Sequence, residues 1–163
     1  MDTLAAQVGA ALKAHGMMLA TAESCTGGGV AQAVTDIAGS SAWFERGFVT
    51  YANQAKVEML GVRQSTLDGY GAVSEMDVRE MVAGALARSH VHIAVAVSGI
   101  AGPGGGTPEK PVGTVWFAWV VRGGEVQAFR HLLAGDRAAV RSKSVEIALQ
   151  GVLSLLKEQA KTA

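Results

Sequence analysis

Residues 21–29 read TAESCTGGG, placing an acid, several hydroxyls and the chain's single thiol immediately before three glycines. The segment follows the apolar run MMLATA and precedes a helix-like stretch, so it sits where a strand gives way to a helix. Free N–H groups at a helix start suit an oxyanion or a phosphate, and glycines let the ligand approach closely. Cys25, Thr26, Gly27 and Gly28 would then line the ligand alongside Ser24. The same residues have a plainer use, with Ser24 or Thr26 as an N-cap and the glycines relieving packing. No Lys follows the glycines, so the stretch is neither a Walker loop nor G-x-G-x-x-G. Cys25 becomes a nucleophile if the helix start lowers its pKa. A lone Cys serves equally well as a small buried hydrophobe, and no His lies near it in sequence to act as a base.

A second cluster lies in GSSAWFERGFVTYANQAK, residues 39–56, which holds Ser40, Ser41, Tyr51 and Lys56. A serine hydroxyl attacks only once a base takes its proton. A lysine serves as that base when burial or a neighbouring cation brings its pKa down from about 10.4. Tyr51 ends an expected strand and Lys56 lies about one turn into the next helix, so both can face one cleft. The alternative makes Ser40 a turn residue, Ser41 a cap and Lys56 a solvated charge. A third segment, SGIAGPGGG at 98–106, offers Ser98, Gly99, Gly102 and Gly104 to a phosphate or ribose, although many glycine-rich loops are only turns. Arg137, in AGDR, can grip a phosphate through paired hydrogen bonds or pair with an acid such as Asp136.

The bulk composition narrows what these residues serve. A chain of 163 residues, 49% of them apolar, is long enough to bury a core and suits one domain. Its 14 basic and 14 acidic residues leave no net charge, which argues against nucleic acid or a membrane surface as partner. No apolar run approaches the roughly 20 residues of a membrane span, and the N-terminus lacks the apolar core of a signal peptide. A single cysteine allows no internal disulfide, so a cytoplasmic setting is expected. The His residues at 15, 90, 92 and 131 have no metal-ligand spacing, and no metal is expected.

The elements that must position the clusters follow from periodicity. Leu4, Val8 and Leu12 mark a helix stopped by Gly16, and Val30, Val34 and Ile37 mark a second stopped by Gly39. GFVTY (47–51) reads as a strand, NQAKVEMLG (53–61) as a short helix, and 62–71 as a loop. Ser74 and Asp77 resemble a capping box that opens a helix through Leu86. HIAVAVS (92–98) has the continuous apolar character of a strand buried on both faces. TVWFAWVV (114–121) and EVQAFRHLL (125–133), joined by Arg122-Gly123-Gly124, read as an antiparallel hairpin, and a last helix begins near Asp136. The alternation predicts a single α/β layered domain with a mixed, mostly parallel sheet, helices on both faces and a late antiparallel hairpin. Ligands in such sheets sit beyond the carboxyl ends of the strands, where 23–28, 52–56 and 98–106 should converge. The segment 39–41 must fold back to join them. TVWFAWVV and the last helix offer either core or a dimer surface.

Several long motifs occur in order: TAESCTGGGVAQAVTDIAGSSAWFERGFVTYANQAKVEMLGV, then GAVSE, SGIAGPGGG and KPVGTVWFAW. Over roughly residues 5–157 the chain closely resembles the CinA C-terminal domain family, whose stand-alone members are nicotinamide-nucleotide amidohydrolases. The resemblance implies hydrolysis of the carboxamide of nicotinamide mononucleotide to nicotinate mononucleotide and ammonia, in pyridine-nucleotide recycling, without metal or cofactor. It places the catalytic serine at Ser41 and the lysine at Lys56, assisted by Tyr51, with Ser24 in the polar wall and as the rival nucleophile. Cys25, Thr26, Gly27, Gly28, Ser40, Ser98, Gly99, Gly102, Gly104 and Arg137 are the expected substrate contacts. Position 98 carries Ser where relatives often have Thr, and either supplies a hydroxyl. A homo-oligomer, as a dimer, is the expected assembly. Because the domain also occurs fused to another, the competing reading is a non-catalytic nucleotide-binding or protein-interaction module linked to competence or DNA damage.

Overall fold

A computed structural model describes residues 3–162, with side chains through 159. The first helix, α1 (Leu4–His15), starts where the Thr3 hydroxyl accepts the Ala6 N–H, and it buries Val8 and Leu12 on one side. Strand β1 (Leu19–Glu23) is buried at all five positions, as a strand flanked on both edges and covered on both faces must be. It pairs in parallel with β2 (Phe44–Val49) and with β3 (Ile93–Gly99), and Glu23 stands opposite both Val49 and Val97. The carboxyl ends of the three parallel strands are therefore level. Strands β4 (Thr114–Val121) and β5 (Gln127–Leu132) add antiparallel to β3, giving the order β2-β1-β3-β4-β5.

Helices close both faces. On one, α1, α2 (Gly29–Thr35) and α6 (Arg137–Thr162) cover Leu19, Val95, Val97 and Phe117. On the other, α3 (Asn53–Leu60), α4 (Gln64–Tyr70) and α5 (Glu75–Ala87) cover Ala22, Ala94, Ala96 and Ala118. Alanines on that side let α5 lie close to the sheet, and its Met81 and Val82 are fully buried there. Each such side chain contributes on the order of 1.5–3 kcal/mol by leaving water. Helices α5 and α3 approach closely at Gly84, where a Cβ would collide with the Leu60 carbonyl.

Two features depart from the sequence reading, and a third decides between alternatives it left open. Residues 64–70, expected as loop, form α4. Its Ser, Thr, Asp and Gly have poor helical propensity. Tertiary contacts hold it instead, with Leu67 buried and the Glu80 carboxylate accepting from the Thr66 hydroxyl and from Arg63. Strand β2 begins at Phe44, three residues earlier than the pattern GFVTY suggests, and its burial is only partial because it forms a sheet edge. TVWFAWVV is an interior strand with most positions buried, so it is core rather than a dimer surface. Among the described residues no helix is long and apolar enough to cross a membrane.

Candidate active site

The chain leaves the sheet at Glu23 and turns sharply before α2. The Glu23 carboxylate folds under that turn and accepts from the Thr26 hydroxyl at 2.6 Å and from the N–H groups of Val30 and Ala31. The start of α2 is thus capped by the chain's own anion, and the phosphate cradle expected there is already filled. Thr26 is buried against Glu23, and Gly27 and Gly28 shape the turn with positive φ instead of facing a ligand. What remains free lies one step earlier. Among the described residues no carbonyl accepts from the N–H groups of Cys25, Thr26 and Gly28, and Ser24 lines a cavity at the strand ends. From α6, Arg141 steadies this turn by donating to the Cys25 and Thr26 carbonyls.

Lys56 comes to the same cavity from α3, reaching back beneath the 50–53 segment. It is 1% exposed. Its Nζ lies 3.1 Å from Ser24 Oγ, 3.2 Å from the Thr50 carbonyl and 3.4 Å from the Tyr51 carbonyl. Burial lowers the Lys56 pKa from 10.5, opposed chiefly by the charge of Asp77. As an ammonium, Lys56 donates to all three oxygens. As a neutral amine it has two N–H bonds for the two carbonyls and a lone pair left for the Ser24 O–H. That is the geometry of a base poised on a nucleophile.

The cavity encloses about 270 Å³. Besides Ser24 and Lys56 it is lined by Cys25, Tyr51, Ser98, the glycine loop 99–105 and Arg137. The three segments expected at the strand ends therefore meet. Ser98 Oγ donates to the Ala72 carbonyl at 2.7 Å. Arg137 donates to the Gly102 carbonyl and to the Tyr51 hydroxyl, both at 2.9 Å, and so spans the cavity mouth. The Tyr51 phenol faces Arg137, and only its main-chain carbonyl touches Lys56. Gly99, Gly102 and Gly104 lie on the wall.

Ser41 is not there. Ser40 and Ser41 lie in a 3-10 turn that precedes β2, and Trp43, which ends the turn, accepts the Leu19 N–H at the start of β1. Both serines therefore sit at the amino ends of the parallel strands, a whole strand away from Lys56, roughly 20 Å at 3.3 Å per residue. Ser41 is exposed and Ser40 is buried in that turn. The expectation that 39–41 folds back to the cleft is corrected by the ladder, because β2 must run its length before the chain reaches Tyr51. Cys25 reaches the cavity wall, but burial raises its pKa to about 11, with Glu23 adding to the rise. It is a neutral thiol at physiological pH, with no thiolate to attack.

Sequence reasoning missed three neighbours: Arg141, Glu23 as the cap of α2, and Asp77. The signal for Glu23 was present, since an acid at the end of an apolar strand has to find donors. Arg141 and Asp77 carried none, because each reaches its place only through tertiary packing. A larger apolar groove of about 390 Å³ lies between β5 and α6, lined by Trp119, Phe129 and His131 with Ser154 and Glu158 at its polar positions. Among the described residues no group of three or more His, Cys, Asp or Glu is arranged to hold a metal ion.

Residues 1–156 match the model of the CinA C-terminal domain. An Escherichia coli K12 protein named nicotinamide-nucleotide amidohydrolase PncC is 60% identical over 147 residues, 90% of this chain and 89% of that one. A Pseudomonas putida protein of the same name is 52% identical over 95% of this chain and 96% of its own length. The crystal structure of the competence/damage inducible protein CihA from Agrobacterium tumefaciens superposes with a TM-score of 0.91 at 48% identity, covering 93% of each chain.

Proposed function

The chain belongs to the CinA C-terminal domain family and is an amidohydrolase, and from that premise we propose that it hydrolyses the carboxamide of nicotinamide mononucleotide with Ser24 as nucleophile and Lys56 as base. The observation that carries this reading is the 3.1 Å approach of Lys56 Nζ to Ser24 Oγ inside a cavity, with two carbonyls holding the amine. The names of the relatives support the substrate.

Neutral Lys56 takes the Ser24 proton as Oγ attacks the carboxamide carbon. The carbonyl oxygen becomes an oxyanion within reach of the free N–H groups at 25 and 26, where one well-aimed donor is worth about 3 kcal/mol in the transition state. Collapse breaks the C–N bond, and the Lys56 ammonium returns its proton to the departing nitrogen, which leaves as ammonia. Water then attacks the nicotinoyl ester with Lys56 again as base, which releases nicotinate mononucleotide and restores Ser24. The phosphate lies toward Arg137 and the amides of the 99–105 loop, and Ser98 offers its hydroxyl to the ring side. Tyr51 holds Arg137 across the mouth and has no part in the proton transfer. The product suits a role in pyridine-nucleotide recycling, and a chain without net charge suits a small-molecule partner better than a nucleic acid.

The test is to incubate the purified protein with nicotinamide mononucleotide and measure ammonia and nicotinate mononucleotide together. Equimolar release in the wild type, abolished in Lys56→Ala, is expected. Binding of the mononucleotide without any release would sink the proposal.

A further inference from the structure

Asp77 is fully buried, and among the described residues neither of its carboxyl oxygens has a hydrogen-bond partner. Ser74 caps α5 by accepting the Asp77 N–H at 3.1 Å, but the return half of a capping box, from the Asp77 side chain back to Ser74, is not made. The carboxyl turns inward instead. A buried carboxyl without donors is costly and calls for a reason. The charges that reach it are Lys56 from α3, Glu80 one turn along its own helix and Lys110 from the loop after β3. Strand β3 brings the Ser98 hydroxyl beside it, but that hydroxyl donates to the Ala72 carbonyl. The remaining charges on the packed elements are engaged elsewhere or exposed, and Glu58 of α3 and Asp68 of α4 accept from Gln54 and Gln64. Glu23 of β1 caps α2, Glu75 and Arg79 of α5 pair with each other, and Arg130 of β5 is exposed.

Lys56 and Asp77 are both buried at this end of the sheet, Lys56 lining the cavity and Asp77 beside Ser98, which also lines it. We propose that Asp77 is a positioning residue for the reaction: it shares protons with Lys56 as a pair, and its carboxyl sets the pH at which the lysine is free to take the Ser24 proton. The inference rests on the reading of Lys56 as the base. While Asp77 is charged it favours the Lys56 ammonium, which cannot act as base. When the pair holds a single proton, that proton rests on one partner or the other, and only the form with neutral Lys56 and neutral Asp77 can attack. Coupled groups of this kind titrate in joint steps. Burial raises Asp77 to about 7, against the pull of the Lys56 charge.

Removing the carboxyl lowers the Lys56 pKa, so a variant keeps neutral lysine at lower pH. In Asp77→Asn and in Asp77→Val, which replaces the unpartnered carboxyl with an apolar group of similar size, the acid limb of kcat/KM should move to lower pH by about one unit. Stability provides a readout independent of activity. Folded-state Asp77 lies above its ordinary 3.8, so the folded protein keeps a proton that the unfolded chain gives up. Its contribution is therefore lost as pH rises from about 4 to about 7, and either variant should flatten the fall in urea midpoint over that window. The experiment measures both profiles for wild type, both variants and Lys56→Ala. A displaced acid limb and a flattened midpoint, with Lys56→Ala inactive, bear out the pair. Limbs that superimpose, or a uniform drop in rate at every pH, overturn it while leaving Lys56 as base. An active Lys56→Ala removes the base and the pair together.

Discussion

Two serine-bearing turns sit at opposite ends of the same strands. The turn after β1 carries Ser24, and the 3-10 turn before β2 carries Ser41. Both are small, polar and followed by a regular element, and along the chain Ser41 is the nearer to Lys56. Only the first turn has a buried amine at 3.1 Å, free N–H groups beside the hydroxyl, and a cavity in front of it. The second has solvent and the amino ends of the strands. In a parallel sheet every loop at one edge is a strand length from every loop at the other. The direction of β2, more than the spacing of residues, decides which serine meets the lysine.

The comparison can be broken most decisively by removing its active pair. Ser24→Ala and Lys56→Ala should each lower kcat by about 10³-fold or more, with circular dichroism unchanged. Next in size is the mouth of the cavity. Arg137→Ala should raise KM for the mononucleotide by about 10–100-fold, the worth of a charge-assisted contact to phosphate, with a much smaller change in kcat. A large fall in kcat with unchanged KM would place Arg137 at the reacting carbon instead. Gly84→Ala acts from behind by forcing α5 off the Leu60 carbonyl of α3, the helix that carries Lys56. A urea titration should show a loss of about 1–3 kcal/mol. The smallest effects belong to the other turn and to the thiol. Ser41→Ala should stay within about twofold of wild type in kcat/KM. Cys25, a thiol held to about 11, should resist iodoacetamide at neutral pH.

Much of this was legible before any fold was known. The apolar run at 92–98, the hairpin of 114–133 and the helix caps at Gly16, Gly61 and Ser74 read correctly because local periodicity and cap chemistry fix them. The convergence of 23–28, 52–56 and 98–106 was expected from the rule that ligands lie beyond strand carboxyl ends, and the cavity is lined by Ser24 and Cys25 of the first, Asn53 and Lys56 of the second and most of the third. Helix α4 was not expected, since its stability comes from Glu80 on another element. Nor was the choice between the serines, because Ser24 and Lys56 are 32 positions apart and the pairing register brings them together. Asp77 looked like half of a capping box, and only its surroundings show that its side chain caps nothing.

The central claim is that Ser24 Oγ bonds to the substrate carbon. Mixing enzyme and nicotinamide mononucleotide, quenching with acid and mapping the digest by mass spectrometry tests this directly. A nicotinoyl-nucleotide ester on the peptide containing Ser24, lost in Ser24→Ala and retained in Ser41→Ala, is the predicted result. The same adduct on the peptide containing Ser41, or full turnover by Ser24→Ala, would contradict it.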